Sequence, residues 1–197
     1  WQAAFGGPDA GLRFGCLSGD RLWDLDAAAW ALPRSATAMA DPQLRMAAEV
    51  AADALHDTGL LPARLVGGAA SVGVFSAGGL PEHVARLAAG QGTALGKAAL
   101  YGAYPCLLAN TISSSFDFKG PSYTVDSACS SAISALHLAV ESLLTGSCDA
   151  ALVVATNSLV SPLFLRALAE NGVLSATGRS LPFDADADGF VRGEGAV

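Results

Sequence analysis

The chain has 197 residues, 52% hydrophobic and 15% charged, with 22 glycines and a formal charge of −7 at pH 7. That apolar content excludes a disordered chain, and the lack of any short period excludes collagen-like repeats and coiled coils. Eleven basic residues against 18 acidic ones, with no Lys/Arg run, leave no basic face for nucleic acid. Cys16, Cys106, Cys129 and Cys148 include no Cys-x-x-Cys pair, and no secretory signal opens the chain, so reduced thiols and a cytoplasmic location are expected. No apolar run approaches the roughly 20 residues of a membrane span, and no membrane partner is expected.

Residues 1–40 show no sustained period. A helix is predicted to start at Asp41-Pro42, with Asp41 as cap and Pro42 in the first turn. Its apolar face is Leu44, Ala47, Ala48, Ala51, Ala54 and Leu55, and Gly59 is its expected stop. Ser71 to Ser76 reads as a buried strand ending in the Gly78-Gly79 turn, followed by helical pieces from about Leu80 to Ala99. Pro105 to Ile112 predicts a short helix and Phe116 to Pro121 a turn. Ser122 to Asp126 has a strand's makeup. Ile133, Leu136, Leu138, Val140, Leu143 and Leu144 predict a buried apolar helix ending at Gly146. Asp149 to Thr156 reads as a strand buried on both faces, and Pro162 to Asn171 as a further helix. Alternating strands and helices imply an α/β fold with a largely parallel sheet. With no linker in sight, residues 1–197 read as one domain.

The informative segment is Val125-Asp126-Ser127-Ala128-Cys129-Ser130-Ser131-Ala132, at a strand-to-helix turn. A cysteine there faces unpaired backbone N–H groups and the positive end of a helix dipole, which favour thiolate over thiol. The small neighbours Ala128, Ser130, Ser131 and Ala132 leave room for a substrate carbonyl, and the same N–H groups supply part of an oxyanion site. The competing reading of Cys129 is one more buried cysteine, the usual fate of that residue.

Asp126-Ser127-Ala128-Cys129-Ser130-Ser131 closely resembles the active-site signature of β-ketoacyl synthases, the condensing enzymes of polyketide and fatty-acid assembly. Asp41-Pro42-Gln43-Leu44-Arg45, Glu49 and Asp57-Thr58-Gly59 resemble the family's early helix. Ala109-Asn110-Thr111-Ile112-Ser113 and Phe116-Asp117-Phe118-Lys119-Gly120-Pro121-Ser122 resemble the approach to the nucleophile. Leu174-Ser175, Gly178-Arg179, Pro182-Phe183-Asp184 and Asp186 to Gly195 resemble the loop after it. The match covers about residues 38–197 with its motifs in order; the family's opening strand is not recognisable. Thr111 and Ala176-Thr177 depart from the usual pattern, away from the nucleophile.

The resemblance implies a thiolase-like fold, incomplete here and mainly its N-terminal half, with a largely parallel sheet and buried helices. It implies acyl transfer to Cys129 from an acyl carrier protein thioester, then decarboxylative condensation with a malonyl-type extender, covalent catalysis in two steps. No bound cofactor is implied, because the phosphopantetheine arm comes with the carrier. A homodimer is implied, with the strand before Cys129 contributing to pairing. Asn110 and Phe190 are placed near the dimer face or the substrate tunnel, against ordinary packing as the alternative. The family's two catalytic histidines lie in His-Gly-Thr-Gly-Thr and Asn-x-Gly-His motifs downstream of the Gly-Glu-Gly loop, and neither motif occurs in the chain, which reads as an N-terminal-side fragment. The alternatives are a non-catalytic dimerisation or carrier-docking module, and a thiolase-fold acyltransferase that does not condense.

The histidines present do not fill that role. His137, eight residues past Cys129, lies about 12 Å along a helix, too far for proton transfer, and reads as a packed helix residue. His56 and His83 read as surface residues. No Cys/His set has zinc spacing, so no metal is expected. Gly92 to Lys97 is one residue short of a phosphate loop. Asp184, Asp186 and Asp188 open like a calcium loop, but Gly195 occupies its twelfth position; they read instead as a locally hydrogen-bonded turn.

Overall fold

The computed structural model describes residues 14–15, 40–58, 70–79, 82–89 and 103–197. The first long element, α1 (Pro42–Asp57), starts where the Asp41 side chain accepts the Gln43 N–H at 2.9 Å and Pro42 takes the first turn. Leu44, Ala47, Ala48, Ala51 and Leu55 are buried as the apolar spacing predicts, whereas Ala54 is exposed. Thr58 is the C-cap, and the expected stop at Gly59 lies outside the described residues.

Strand β2 (Val72–Gly78) is the centre of the sheet. It pairs in parallel with β3 (Ser122–Val125), Val74 opposite Ser122, and with β4 (Ala150–Asn157), Val72 opposite Ala150. The antiparallel β6 (Gly195–Ala196) joins β4 only at Thr156 and Asn157. Further along, β1 (Phe14–Gly15) pairs in parallel with β5 (Arg192–Gly193). Helix α2 (Glu82–Ala89) is the part of the 80–99 region that is described. Helices α3 (Leu107–Ser115) and α4 (Ser131–Leu144) flank β3, and α5 (Pro162–Glu170) follows β4 behind a Ser161 cap.

The two-residue period of β2 divides the core. Val72 and Val74 point to one face, where Leu44, Ala47 and Ala51 of α1 meet Leu108, Ala109 and Ile112 of α3. Phe75 and Ala77 point to the other, against Ala135 and Ala139 of α4. Gly120 lets the chain press onto β2 where β3 begins: a Cβ there would sit 2.5 Å from the Val72 carbonyl carbon and oxygen. Its N–H donates to Val72 at 3.0 Å, and Val74 donates to Pro121 at 2.7 Å.

Two expectations about burial need correction. Helix α4 buries only Ser131, Ala135 and Ala139, while Ile133 is 70% and Leu144 82% exposed. Its small residues form the stripe that seats on the sheet, and among the described residues no element covers its larger apolar side. Strand β4 has helices on both faces but is mostly half-buried, because its outer edge is paired only at its end.

Candidate active site

Parallel strands β2, β3 and β4 end on the same side of the sheet, the edge where open α/β sheets bind ligands. At the end of β3 the chain turns through Asp126 and Ser127 into a single 3₁₀ turn (Ala128–Ser130) that runs on into α4. Ala128 has φ +56°, a left-handed conformation costing a non-glycine residue about 1–2 kcal/mol. This strained turn holds Cys129 exposed at the head of the helix instead of burying it.

Polar side chains lock the turn. The Ala128 N–H donates to Asp126 Oδ1 at 3.0 Å, and the Ala128 carbonyl accepts the Ser131 hydroxyl at 2.7 Å. Ser131 Oγ also accepts the Ser127 N–H at 2.8 Å. Ser130 Oγ donates to the Ser127 carbonyl at 2.8 Å, and the Ser127 and Ser134 hydroxyls pair at 2.7 Å. Among the described residues no hydrogen bond takes the Cys129 N–H. Behind the turn, Ser76 Oγ and Thr124 Oγ1 pair at 2.7 Å across β2 and β3, and Thr124 donates to the Pro105 carbonyl at 2.8 Å.

A second polar cluster holds the end of β4. Gln43 on α1 accepts the Gly79 N–H through Oε1 at 2.6 Å, tying the helix to the turn after β2. Asn157 Nδ2 donates to the Gly193 carbonyl at 2.5 Å, and Glu194 Oε1 accepts the Leu159 N–H at 2.8 Å. The fully buried Glu82 binds Arg192 Nη1 at 2.7 Å through Oε1, and takes the Val160 and Ser161 N–H groups at 3.1 and 3.0 Å through Oε2. Asp41 lies close enough to feel Glu82. Burial, the larger effect, pushes its carboxyl up from 3.8 to about 6 against hydrogen bonds from Gln43 that lower it; the Glu82 charge adds to the rise.

The residues singled out in the sequence fall in different places. Asn110 on α3 is exposed and accepts the Ser122 hydroxyl at 3.0 Å, and Ser122 in turn accepts from Ser113 at 2.8 Å; this pins α3 to the start of β3. Phe190 is 43% exposed and bridges in parallel to Leu174, accepting the Ser175 N–H at 3.0 Å through its carbonyl. No hydrogen bond joins either of them to Cys129 among the described residues.

His56 is exposed as expected, but the other two histidines are reversed: His83 is buried against α2's neighbours, and His137 is exposed beside Glu141, its Nε2 3.5 Å from Oε1. Helix α4 packs on the sheet through Ala132, Ala135, Leu138 and Ala139, and position 137 faces outward. Of the three aspartates read as a locally bonded turn, Asp184 and Asp186 are joined locally, whereas Asp188 reaches back to Ser175 and Thr177, 13 and 11 residues upstream. The Asp186 N–H reaches Asp184 Oδ1 at 2.9 Å, and Ser175 donates to Asp188 Oδ1 at 2.6 Å, which holds the Asp188 carboxyl below its usual value. Among the described residues no group of three or more His, Cys, Asp or Glu side chains can hold a metal ion. No helix there is long and apolar enough to cross a membrane.

Gln43, Glu82, Asn157 and Arg192 were not visible as a cluster in the sequence, since they are contributed by four separate segments. The only local signals were polar residues inside or beside apolar runs: Gln43 next to Leu44, Asn157 at the end of an apolar strand.

The structure is an α/β protein with an exposed thiol on a strained strand-to-helix turn, at the edge of a parallel sheet where such folds bind ligands. Residues 9–197 match the family described as Beta-ketoacyl synthase, N-terminal domain, and the chain belongs to that family. The match begins well upstream of Asp41, the first motif legible in the sequence, and takes in β1. The chain is 40% identical over 202 residues to a phenolphthiocerol/phthiocerol polyketide synthase protein of Mycobacterium tuberculosis, covering 100% of this chain and 11% of that protein. It is 43% identical over 190 residues to the polyketide synthase ThaG of Burkholderia thailandensis, covering 96% of this chain and 3% of that one. Among solved structures, the oxazolomycin ketosynthase domain of Streptomyces albus JA3453 superposes with a TM-score of 0.76 at 30% identity, over 89% of this chain and 30% of its own. The ketosynthase from module 6 of the bacillaene synthase of Bacillus subtilis 168 gives a TM-score of 0.76 at 27% identity, over 92% and 30%. The fold is therefore the thiolase-like ketosynthase fold, of which the chain spans its N-terminal part.

Proposed function

We propose that the chain is the nucleophile-bearing part of a polyketide β-ketoacyl synthase, and that Cys129 takes an acyl group from a carrier-protein thioester. The observation that carries this is the exposed Cys129, held on the Ala128 turn with its backbone N–H unengaged among the described residues. In the transfer, Cys129 sulfur attacks the thioester carbonyl and the π electrons move onto oxygen. Collapse of that oxyanion breaks the bond to the carrier's sulfur, which leaves with the proton from Cys129. The Cys129 N–H faces the developing charge and acts as one donor to it. The acyl-enzyme then serves for condensation with a malonyl-type extender, the carrier's phosphopantetheine arm delivering both thioesters. His-Gly-Thr-Gly-Thr and Asn-x-Gly-His, the motifs of the family's decarboxylation histidines, occur nowhere in these 197 residues, so the chemistry assigned to this chain's own residues is the acyl transfer.

The same reading makes the working form a homodimer paired through β3. That strand borders the sheet among the described residues. Val74 donates to Pro121 O, so the peptide groups of Ser122 and Thr124 face away from β2 and are open to a second copy. Incubating the chain with hexanoyl-N-acetylcysteamine and mapping the product by mass spectrometry tests the assignment: one acyl group on Cys129, absent in Cys129→Ala. An unmodified Cys129 in the folded wild-type chain would sink it.

A further inference from the structure

Resting on that assignment, we infer that Ser131 is the residue that aims the oxyanion donor. In a trans peptide the carbonyl and the N–H point in opposite directions, so whatever fixes the Ala128 carbonyl also fixes the Cys129 N–H. Ser131 holds that carbonyl twice, through its hydroxyl at 2.7 Å and through its own backbone N–H. The direction of the hydroxyl proton follows from the partners. The Ser127 N–H already donates to Ser131 Oγ, so the hydroxyl hydrogen is left for Ala128 O. From the other side Asp126 Oδ1 takes the Ala128 N–H at 3.0 Å, so both peptide groups around the φ +56° residue are tied to side chains. Ser131 is buried while Ala128 and Cys129 are exposed, so the anchor is shielded from water and the group it aims is not. The Ser131 hydroxyl bonds to Ser127 and Ala128 and not to the thiol, so Ser131 is a positioning residue, two places after Cys129.

A structural role and an aiming role separate by reaction type. Acylation by a thioester passes through an oxyanion, while alkylation by iodoacetamide displaces iodide at carbon and forms none. Both are followed at the Cys129 peptide by mass spectrometry, in the full chain, for wild type, Ser131→Ala and Ser131→Thr. Ser131→Ala should slow acylation by hexanoyl-N-acetylcysteamine about tenfold, part of the 10²–10³ lost when an oxyanion donor is removed outright. It should leave alkylation within about twofold, and Ser131→Thr should restore acylation. Asp126→Ala, at an exposed position, frees the other side of Ala128 and should lower the same ratio, which keeps the inference open to refutation if Ser131→Ala fails to fold. Equal slowing of both reactions, or unchanged acylation, overturns the role of Ser131 while leaving Cys129 acylation standing. A wild-type chain that alkylates but never acylates overturns the assignment of Cys129 and this inference with it.

Discussion

Arg192→Met breaks the ion pair that joins β5 to α2, and its cost can be worked from the geometry. Glu82 is fully buried and the Arg192 side chain is 10% exposed, their charged atoms 2.7 Å apart. Methionine fills much of the arginine's volume, so the loss is electrostatic and not a cavity. Breaking a buried pair by removing one partner costs about 3–5 kcal/mol, because a buried charge is left behind. Here Oε2 keeps its Val160 and Ser161 donors, which places the cost at about 3 kcal/mol, the lower end of that range. With a urea slope of about 2 kcal/mol/M, the denaturation midpoint should fall by about 1.5 M. Glu82→Gln should itself destabilise, and the double variant should lie above the sum of the singles by about 2 kcal/mol, since it buries no orphaned charge. Urea unfolding followed by far-UV circular dichroism measures all four corners of the cycle. An Arg192→Met cost below about 1 kcal/mol, or additivity within about 0.5 kcal/mol, would refute the view that this pair holds β5 to α2.

Asp41 supplies a pH prediction. Its folded-state value of about 6 stands above the 3.8 of the unfolded chain, so the native state binds the proton more tightly. The corresponding stability is complete below pH ~4 and is lost as pH rises to about 6, amounting to about 3 kcal/mol. Asp41→Asn keeps an acceptor for the Gln43 N–H, and should flatten stability between pH 4 and 6.5 while raising it at pH 7.5; a slope unchanged in the variant rules the assignment out. At the exposed Ala128, φ +56° predicts opposite signs for two substitutions. Ala128→Gly should stabilise by up to about 1 kcal/mol, and Ala128→Val should cost about 1–2 kcal/mol. Thermal melts that move the same way for both would show that the turn is not strained.

The elements were legible where a cap and an apolar period coincide. Asp41-Pro42 marked the start of α1 to the residue, and the β-branched and aromatic makeup of Ser122 to Asp126 placed β3, which runs from Ser122 to Val125. Burial was less legible. The run Ile133 to Leu144 reads as a core helix, yet what seats it are Ala135 and Ala139 with Leu138 beside them, because a close helix–sheet approach selects small residues, and Ile133, Leu136, Val140, Leu143 and Leu144 turn away. His83 reads as a surface residue, but it follows Glu82, which is buried on its ion pair with Arg192, 110 residues on, and His83 is buried beside it. Long-range charge pairs of this kind leave no local pattern. The site divides the same way: Cys129 stands out in its motif, and the Gln43, Glu82, Asn157 and Arg192 cluster emerges only once the strand order is known.

The residue types around Cys129 answer to conformation before chemistry. A left-handed alanine costs about 1–2 kcal/mol, strain that a turn left to itself would relax. Each hydrogen bond from Asp126, Ser130 and Ser131 contributes about 0.5–1.5 kcal/mol net, less where water competes at the exposed positions. Together they offset the strain, and no apolar packing is needed at the tip, where Ala128, Cys129 and Ser130 are all exposed. Apolar packing could hold such a turn only by covering it, which would close the approach to sulfur. Short polar side chains bonded back to their own backbone hold it and leave it open. An Asp-Ser-Ala-Cys-Ser-Ser run at this position thus suits a strained, solvent-facing turn, and its two outermost members, Asp126 and Ser131, are the ones that grip the peptide groups on either side of Ala128.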